Sequence, residues 1–213
     1  MINKLSYYYF KEALPPSLCD DIVRFGNSQI KKVRGITGLE ASIKNSIKKK
    51  LSKTDKTKVN KIRKSNIAWL EEPWIGKELE PYIHRANKEA GWNYDVDGRE
   101  KIQFTEYKRG QFYDYHQDYF ENPFVSTDPN MDGKYRKISV TVNLTDPKEY
   151  EGGQLYFRGI NKEKQCLEEH TNLDFRFKGT LCIFPSFEFH KVTPVTKGVR
   201  YSLVLWYYGK AFQ

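Results

Sequence analysis

The rhythm of apolar positions changes near Asp97 and Gly98, dividing the chain into a helical first part and a stranded second part. After Pro15 and Pro16, residues Leu18, Ile22, Val23 and Phe25 fall on one side of a helix. Ser17 is the expected N-cap, and Gly26 and Asn27 weaken the far end. Pro73 to Ala90 repeats the pattern through Ile75, Leu79, Ile83 and Ala86, and Gly91 supplies the stop. Leu5 to Ala13 reads as an aromatic extended opening, and Asn66 to Leu70 as a short strand. Ile43, Ile47 and Leu51, four apart, predict one short amphipathic helix in an otherwise polar stretch.

Beyond Gly98, short aromatic and β-branched runs take over: Ile102 to Tyr107, Phe112 to Gln117, Ile138 to Leu144, Gln154 to Phe157, Thr180 to Phe184, His190 to Val195 and Val199 to Tyr207. Turn chemistry separates them at Arg109-Gly110, Asp132-Gly133, Gly152-Gly153 and Lys197-Gly198. Seven such runs in about 110 residues predict a β-sandwich or barrel. Alternation then assigns faces. Ile138, Val140, Val142 and Leu144 should pack outward on supporting structure, while Ser139, Thr141 and Asn143 face a wet, ligand-holding interior. In the last run Arg200, Ser202, Val204 and Trp206 share one face, and Tyr201, Leu203, Leu205 and Tyr207 share the other.

With 213 residues the chain is expected to form one domain. Apolar residues make up 38% and aromatics 15%, so Tyr, Phe and Trp should build much of the core, which favours β structure. The net charge of +9 is concentrated. Lys31 to Lys64 holds thirteen basic residues against two acids, a local +11, leaving 23 basic and 25 acidic residues elsewhere. That stretch has two readings, a solvated mobile insertion or an arm that binds polyanions. Cys19, Cys166 and Cys182 are odd in number, widely spaced and without a Cys-x-x-Cys pair, so neither a disulfide framework nor a structural zinc site is indicated. Residues 1 to 10 lack an apolar signal core, and no run reaches bilayer length, so a cytoplasmic protein without membrane partners is expected.

The candidate chemistry lies at His116 and Asp118, two apart and therefore on one face of an extended strand. His190 is the best third ligand. Two histidines and a carboxylate form the facial triad that holds non-haem Fe(II) and leaves coordination positions open for substrate and oxygen. Arg200, ten residues after His190, is suited to clamp a carboxylate with its bidentate fork.

The run from Tyr107 through Gly110 and Tyr113 to His116-Gln117-Asp118, the pair Gly152-Gly153, and the run from His190 to Arg200 resemble the 2-oxoglutarate- and Fe(II)-dependent dioxygenases of the prolyl 4-hydroxylase type. Within that group the chain is similar to the bacterial PKHD-type hydroxylases and to the oxygen-sensing prolyl hydroxylases. The likeness covers about Ile62 to Tyr208, with Arg63 to Leu70 matching the segment before the catalytic core. The resemblance implies a mainly β fold with α, a double-stranded β-helix or cupin-like jelly roll. Residues 1–100 would be its helical support, carrying the basic insertion at 31–64, and 101–213 its catalytic core.

The resemblance also implies Fe(II) held by His116, Asp118 and His190, with O2 as oxidant. As cosubstrate, 2-oxoglutarate would chelate the iron and be paired at its 5-carboxylate by Arg200. Tyr107 and Trp206 match family aromatics that line this pocket. Thr141 and Asn143 join them by alternation, although relatives place a tyrosine near Asn143. Ascorbate dependence follows only from the resemblance.

The substrate favoured by the sequence is a prolyl residue in a protein or peptide. The basic stretch before Arg63 and the long connection Tyr119 to Lys137 read as substrate-covering loops, the former suited to an acidic peptide. A nucleic-acid demethylase is the second reading, weakened because no aromatics interleave with the lysines. The third is a non-catalytic jelly-roll binding module, against which His116, Asp118, His190 and Arg200 are all intact. His84 and His170 read as surface residues, Arg158 as a solvent-facing strand residue, and Tyr113 and Tyr115 as alternating away from Asp114 and His116, which leaves one of them either core or cosubstrate lining.

Overall fold

The computed structural model describes residues 5–29, 33–34, 62–161 and 166–211. In chain order its elements are β1 (Tyr8–Phe10), α1 (Pro16–Gln29), β2 (Val33–Arg34), β3 (Arg63–Lys64), β4 (Asn66–Leu70), α2 (Pro73–Glu89), β5 (Gly98–Arg99), β6 (Ile102–Lys108), β7 (Phe112–His116), β8 (Tyr135–Asn143), β9 (Tyr150–Gly152), β10 (Leu155–Asn161), β11 (Cys166–His170), β12 (Leu181–Pro185), β13 (Phe189–Val192) and β14 (Val195–Gly209). The predicted helix around Ile43 to Leu51, and most of the basic segment, lie outside the described residues. Among the described residues no helix is long and apolar enough to cross a membrane.

Apolar alternation sorts the strands into two antiparallel sheets. The larger runs β1-β12-β8-β14-β6-β4-β2, with β5 and β9 also paired to β14; the smaller runs β11-β10-β13-β7-β3. From β6 onward the long strands pass between sheets in turn: β6, β8, β12 and β14 belong to the larger, and β7, β10 and β13 to the smaller. This is the jelly-roll arrangement, in which consecutive strands face each other across one interior.

The outward face of the larger sheet is covered by the helices. Ile138, Val140, Val142, Leu203 and Leu205 are buried there with Cys19 and Ile22 of α1 and Ile75, Leu79 and Ile83 of α2. A second apolar cluster, including Tyr107, Leu155, Phe157, Phe184 and Val192, lies between the sheets. The assignment of faces in β8 and β14 is therefore as the alternation predicts.

One expectation at α1 is corrected. The helix begins at Pro16, so Ser17 sits in its first turn and is not the cap; proline's fixed φ and missing N–H suit that first position. Gly26, near the far end, is a packing residue: a Cβ there would lie 2.5 Å from the Phe104 ring. Strands β2, β3, β5, β9 and β11 lack a predicted counterpart. β11 is a largely exposed edge of sequence Cys166-Leu-Glu-Glu-His170, and its polar residues conceal the backbone pairing with β10.

Candidate metal centre and cosubstrate pocket

β7 and β13 pair with His116 directly opposite His190, and Asp118 follows β7 by two residues. Cross-strand register brings the two imidazoles to a centroid separation of 4.2 Å. Asp118 completes the set: its Oδ1 lies 3.6 Å from His116 Nε2 and its Oδ2 lies 3.6 Å from His190 Nε2. One donor atom from each residue falls within 4.8 Å of the other two. The backbone N–H groups of Asp118 and Tyr119 donate to the Ser186 carbonyl, which fixes the chain where it leaves β7.

The hydrogen bonds settle which atoms face inward. His116 Nδ1 bonds the carbonyl of Asp114 at 2.8 Å, and His190 Nδ1 bonds that of Glu188 at 2.9 Å. A carbonyl only accepts, so each Nδ1 carries the proton and each Nε2 presents a lone pair. Burial opposes ionisation of Asp118, yet the imidazoles of His190 and His116 hold its carboxyl well below the usual carboxylate range. Burial, aided by His116, pulls the His190 imidazole down to about 4. At neutral pH the site thus offers a carboxylate and a neutral imidazole. Asp118 Oδ2 is buried with no hydrogen-bond partner, an orphaned acceptor of the kind a cation satisfies. These residues fit a divalent metal held on one face.

The opposite wall comes from the larger sheet. Arg200, Ser202, Val204 and Trp206 of β14, Thr141 of β8, and Gln103 and Tyr107 of β6 line the same pocket as the triad. Arg200 is 3% exposed and pairs in register with Tyr107, its guanidinium 5.6 Å from that ring and 3.4 Å from Ser202 Oγ. The glycine pair makes room for it. Gly153, at φ +60°, passes so close that a Cβ would lie 2.9 Å from Arg200 Cδ, and a Cβ on Gly152, at φ +73°, would strike the Pro194 carbonyl at 2.1 Å. Behind the lining, Arg136 is held by the Glu100 carboxylate through two hydrogen bonds, lies 4.1 Å over the Trp206 ring and reaches the Asp118 carbonyl.

Three expectations change. Asn143 is buried but lies outside the pocket lining; its amide donates to the carbonyls of Thr145 and Arg176, so it ties the end of β8 to the 3-10 helix Leu173–Arg176. Tyr113 does not alternate away from His116. A β-bulge sets Tyr113 to His116 against only Val192 to His190 on β13, turning Tyr113 into the pocket. His170 belongs to β11 and stacks on Tyr7 and Phe157, so it is half-buried. His84 is exposed as expected, and Arg158 lies 3.7 Å over Tyr115 beside Glu169.

Sequence reasoning missed Arg63 and Gln103. Arg63, 3% exposed, lines the pocket although its neighbours in sequence made it look like the last charge of a basic arm. Gln103 was legible, since it shares the parity of Tyr107 on β6.

Residues 102–208 match the 2OG-Fe(II) oxygenase superfamily. The chain belongs to that superfamily. Its chemistry uses Fe(II), 2-oxoglutarate and O2, which agrees with the donor set described above. A PKHD-type hydroxylase of Alteromonas mediterranea is 34% identical over 105 residues, covering 48% of this chain and 41% of that protein. One of Gloeothece citriformis is 41% identical over 69 residues, covering 32% of this chain and 28% of the relative. The matched segments thus span about two-fifths or less of these relatives' own length.

Solved structures share the fold. A viral collagen prolyl hydroxylase from Paramecium bursaria Chlorella virus-1, in its 2OG complex, superposes with a TM-score of 0.62 at 17% identity, over 98% of this chain and 99% of that one. A Trichoplax adhaerens prolyl hydroxylase in complex with a hypoxia-inducible-factor peptide gives 0.64 at 22%, over 97% and 84%.

Proposed function

We propose that this oxygenase hydroxylates a prolyl residue in a protein or peptide, converting 2-oxoglutarate and O2 to succinate and CO2 as it does so. The observation that carries the reading is one pocket with a His-Asp-His donor set on one wall and a buried arginine on the other. His116 Nε2, Asp118 and His190 Nε2 are the proposed metal ligands, and Arg200 the partner of the distal carboxylate. Tyr107, Thr141 and Trp206 are the proposed lining of the cosubstrate, with residues 101–213 as catalytic core and 1–100 as support.

Bound Fe(II), with 2-oxoglutarate and O2, supplies the oxidation: one oxygen atom enters succinate and the other enters the substrate C–H bond. The chain's own residues do the rest. The backbone carbonyls of Asp114 and Glu188 keep each imidazole in the tautomer that offers Nε2. Arg200, desolvated, gives a dicarboxylate the cation without which burial of its distal charge would be costly. Gly153 leaves that side chain room that a Cβ would take. Leu155, Phe184 and Val192 keep water from the interior wall.

A prolyl target is supported by exposed aromatic side chains next to residues of the site. Trp69 is 47% exposed with its ring 6.1 Å from Trp206, and Phe187, 39% exposed, sits on the turn that anchors Asp118. Flat aromatic faces receive pyrrolidine rings in other peptide grooves. The names of the relatives and of the similar structures point the same way. Iron-loaded protein incubated with proline-containing peptides, acidic ones included, should add one oxygen to proline by mass spectrometry. Succinate release without any oxidised proline across a broad panel would remove the prolyl claim and leave the oxygenase. Oxidised nucleobases from oligonucleotides would move the substrate to nucleic acid.

A further inference from the structure

β3 is two residues long, yet it pairs with β7 so that Arg63 stands opposite Tyr113. Arg63 is 3% exposed, and its Nε donates to Ser65 Oγ at 2.9 Å, which holds the side chain along the pocket wall. Its guanidinium carbon lies 4.5 Å from the centre of the Tyr113 ring. That same ring lies against the His116 imidazole, with centroids 3.4 Å apart and planes 9° from parallel. The bulge in β7 makes the contact, because a regular strand would carry Tyr113 to the other face.

We propose that Arg63 is a positioning residue for His116, acting through the Tyr113 ring; this rests on the reading of His116 as a metal ligand. A desolvated guanidinium is attracted to the face of an aromatic ring, and its planar shape suits stacking in a way an ammonium does not. The two constraints on His116 are complementary. The bond from Nδ1 to Asp114 fixes where Nε2 points within the ring plane, and the stack fixes the plane. Partners that orient metal ligands in this way commonly change metal affinity by about 10- to 100-fold when removed.

The test is calorimetric titration of Mn(II) into the metal-free full chain, with the thermal transition of each variant confirming that it is folded. Arg63→Met and Tyr113→Leu should each weaken Mn(II) binding by about tenfold or more. The double variant should be no weaker than the worse single one, because both act along one path. Arg63→Lys should fall between, and Tyr113→Phe should keep the wild-type affinity, since the ring and not the hydroxyl makes the stack.

Wild-type Mn(II) affinity in both Arg63 variants would overturn the inference. So would a loss confined to 2-oxoglutarate binding by the Mn(II) protein, which would make Arg63 a cosubstrate anchor. Should Arg63→Met not fold, Arg63→Lys and Tyr113→Leu still decide it. A wild-type chain that takes up no more Mn(II) than His116→Ala would defeat the metal reading itself, and the inference with it.

Discussion

β7 and β14 line one pocket from opposite walls, and they are built differently. β14 keeps antiparallel register with β6 from Val199 to Val204 and with β8 from Ser202 to Tyr207, so every second side chain from Arg200 to Trp206 enters the pocket. β7 meets β13 at only two paired positions with a bulge between them, and puts both Tyr113 and His116 into the pocket although they are three apart. Regular pleat is enough for a wall that presents one buried arginine to the pocket. Gathering two imidazoles, a carboxylate and a supporting ring around one point needs more side chains per unit length than alternation supplies.

The two walls can be disabled separately. Removing a donor from the β7 wall should have the largest effect. His116→Ala or Asp118→Ala should lower metal-dependent succinate formation by more than about 100-fold, beyond the range seen for partners that merely orient ligands. On the β14 wall, Arg200→Ala should raise the 2-oxoglutarate KM by about 100-fold, the order expected when a buried carboxylate loses its cation, with metal affinity unchanged. Arg200→Lys should recover part of that loss, since it restores the charge but not the fork.

Residues on the far face of β14 should separate stability from chemistry. Leu203 is fully buried against the helices, and Leu203→Ala should cost about 2–5 kcal/mol in denaturant unfolding while the folded fraction keeps its metal affinity.

A pH dependence should come from the β13 side. His190 is held at about 4 against an ordinary 6.5 by burial and by His116, so between those values the unfolded chain binds the extra proton. Stability of the metal-free protein should therefore be complete above about pH 6.5 and decline as pH falls towards 4. Thermal transitions across that window should show the decline, and His190→Leu should flatten it.

These differences also explain what was legible in the sequence. The faces of β8 and β14, the long helix α2 and the clustered donors His116 and Asp118 could be read because burial imposes a period of two on strands and of 3.6 on helices. The inward turn of Tyr113 could not, because a bulge is set by tertiary pairing with β13 and leaves no mark in the alternation. Arg63 was hidden for a related reason: only its pairing opposite Tyr113 distinguishes it from the charged residues around it. Asn143 obeyed the alternation as far as its Cβ, but the carbonyls of Thr145 and Arg176 claimed its amide.

The most direct test of the account is succinate release from 2-oxoglutarate by anaerobically iron-loaded protein on admission of O2, with and without a proline-containing peptide, beside Arg200→Ala. The account requires iron-dependent succinate that rises with peptide and is lost in the variant at low cosubstrate concentration. Iron bound at His116, Asp118 and His190 with no succinate formed under any of these conditions would contradict it.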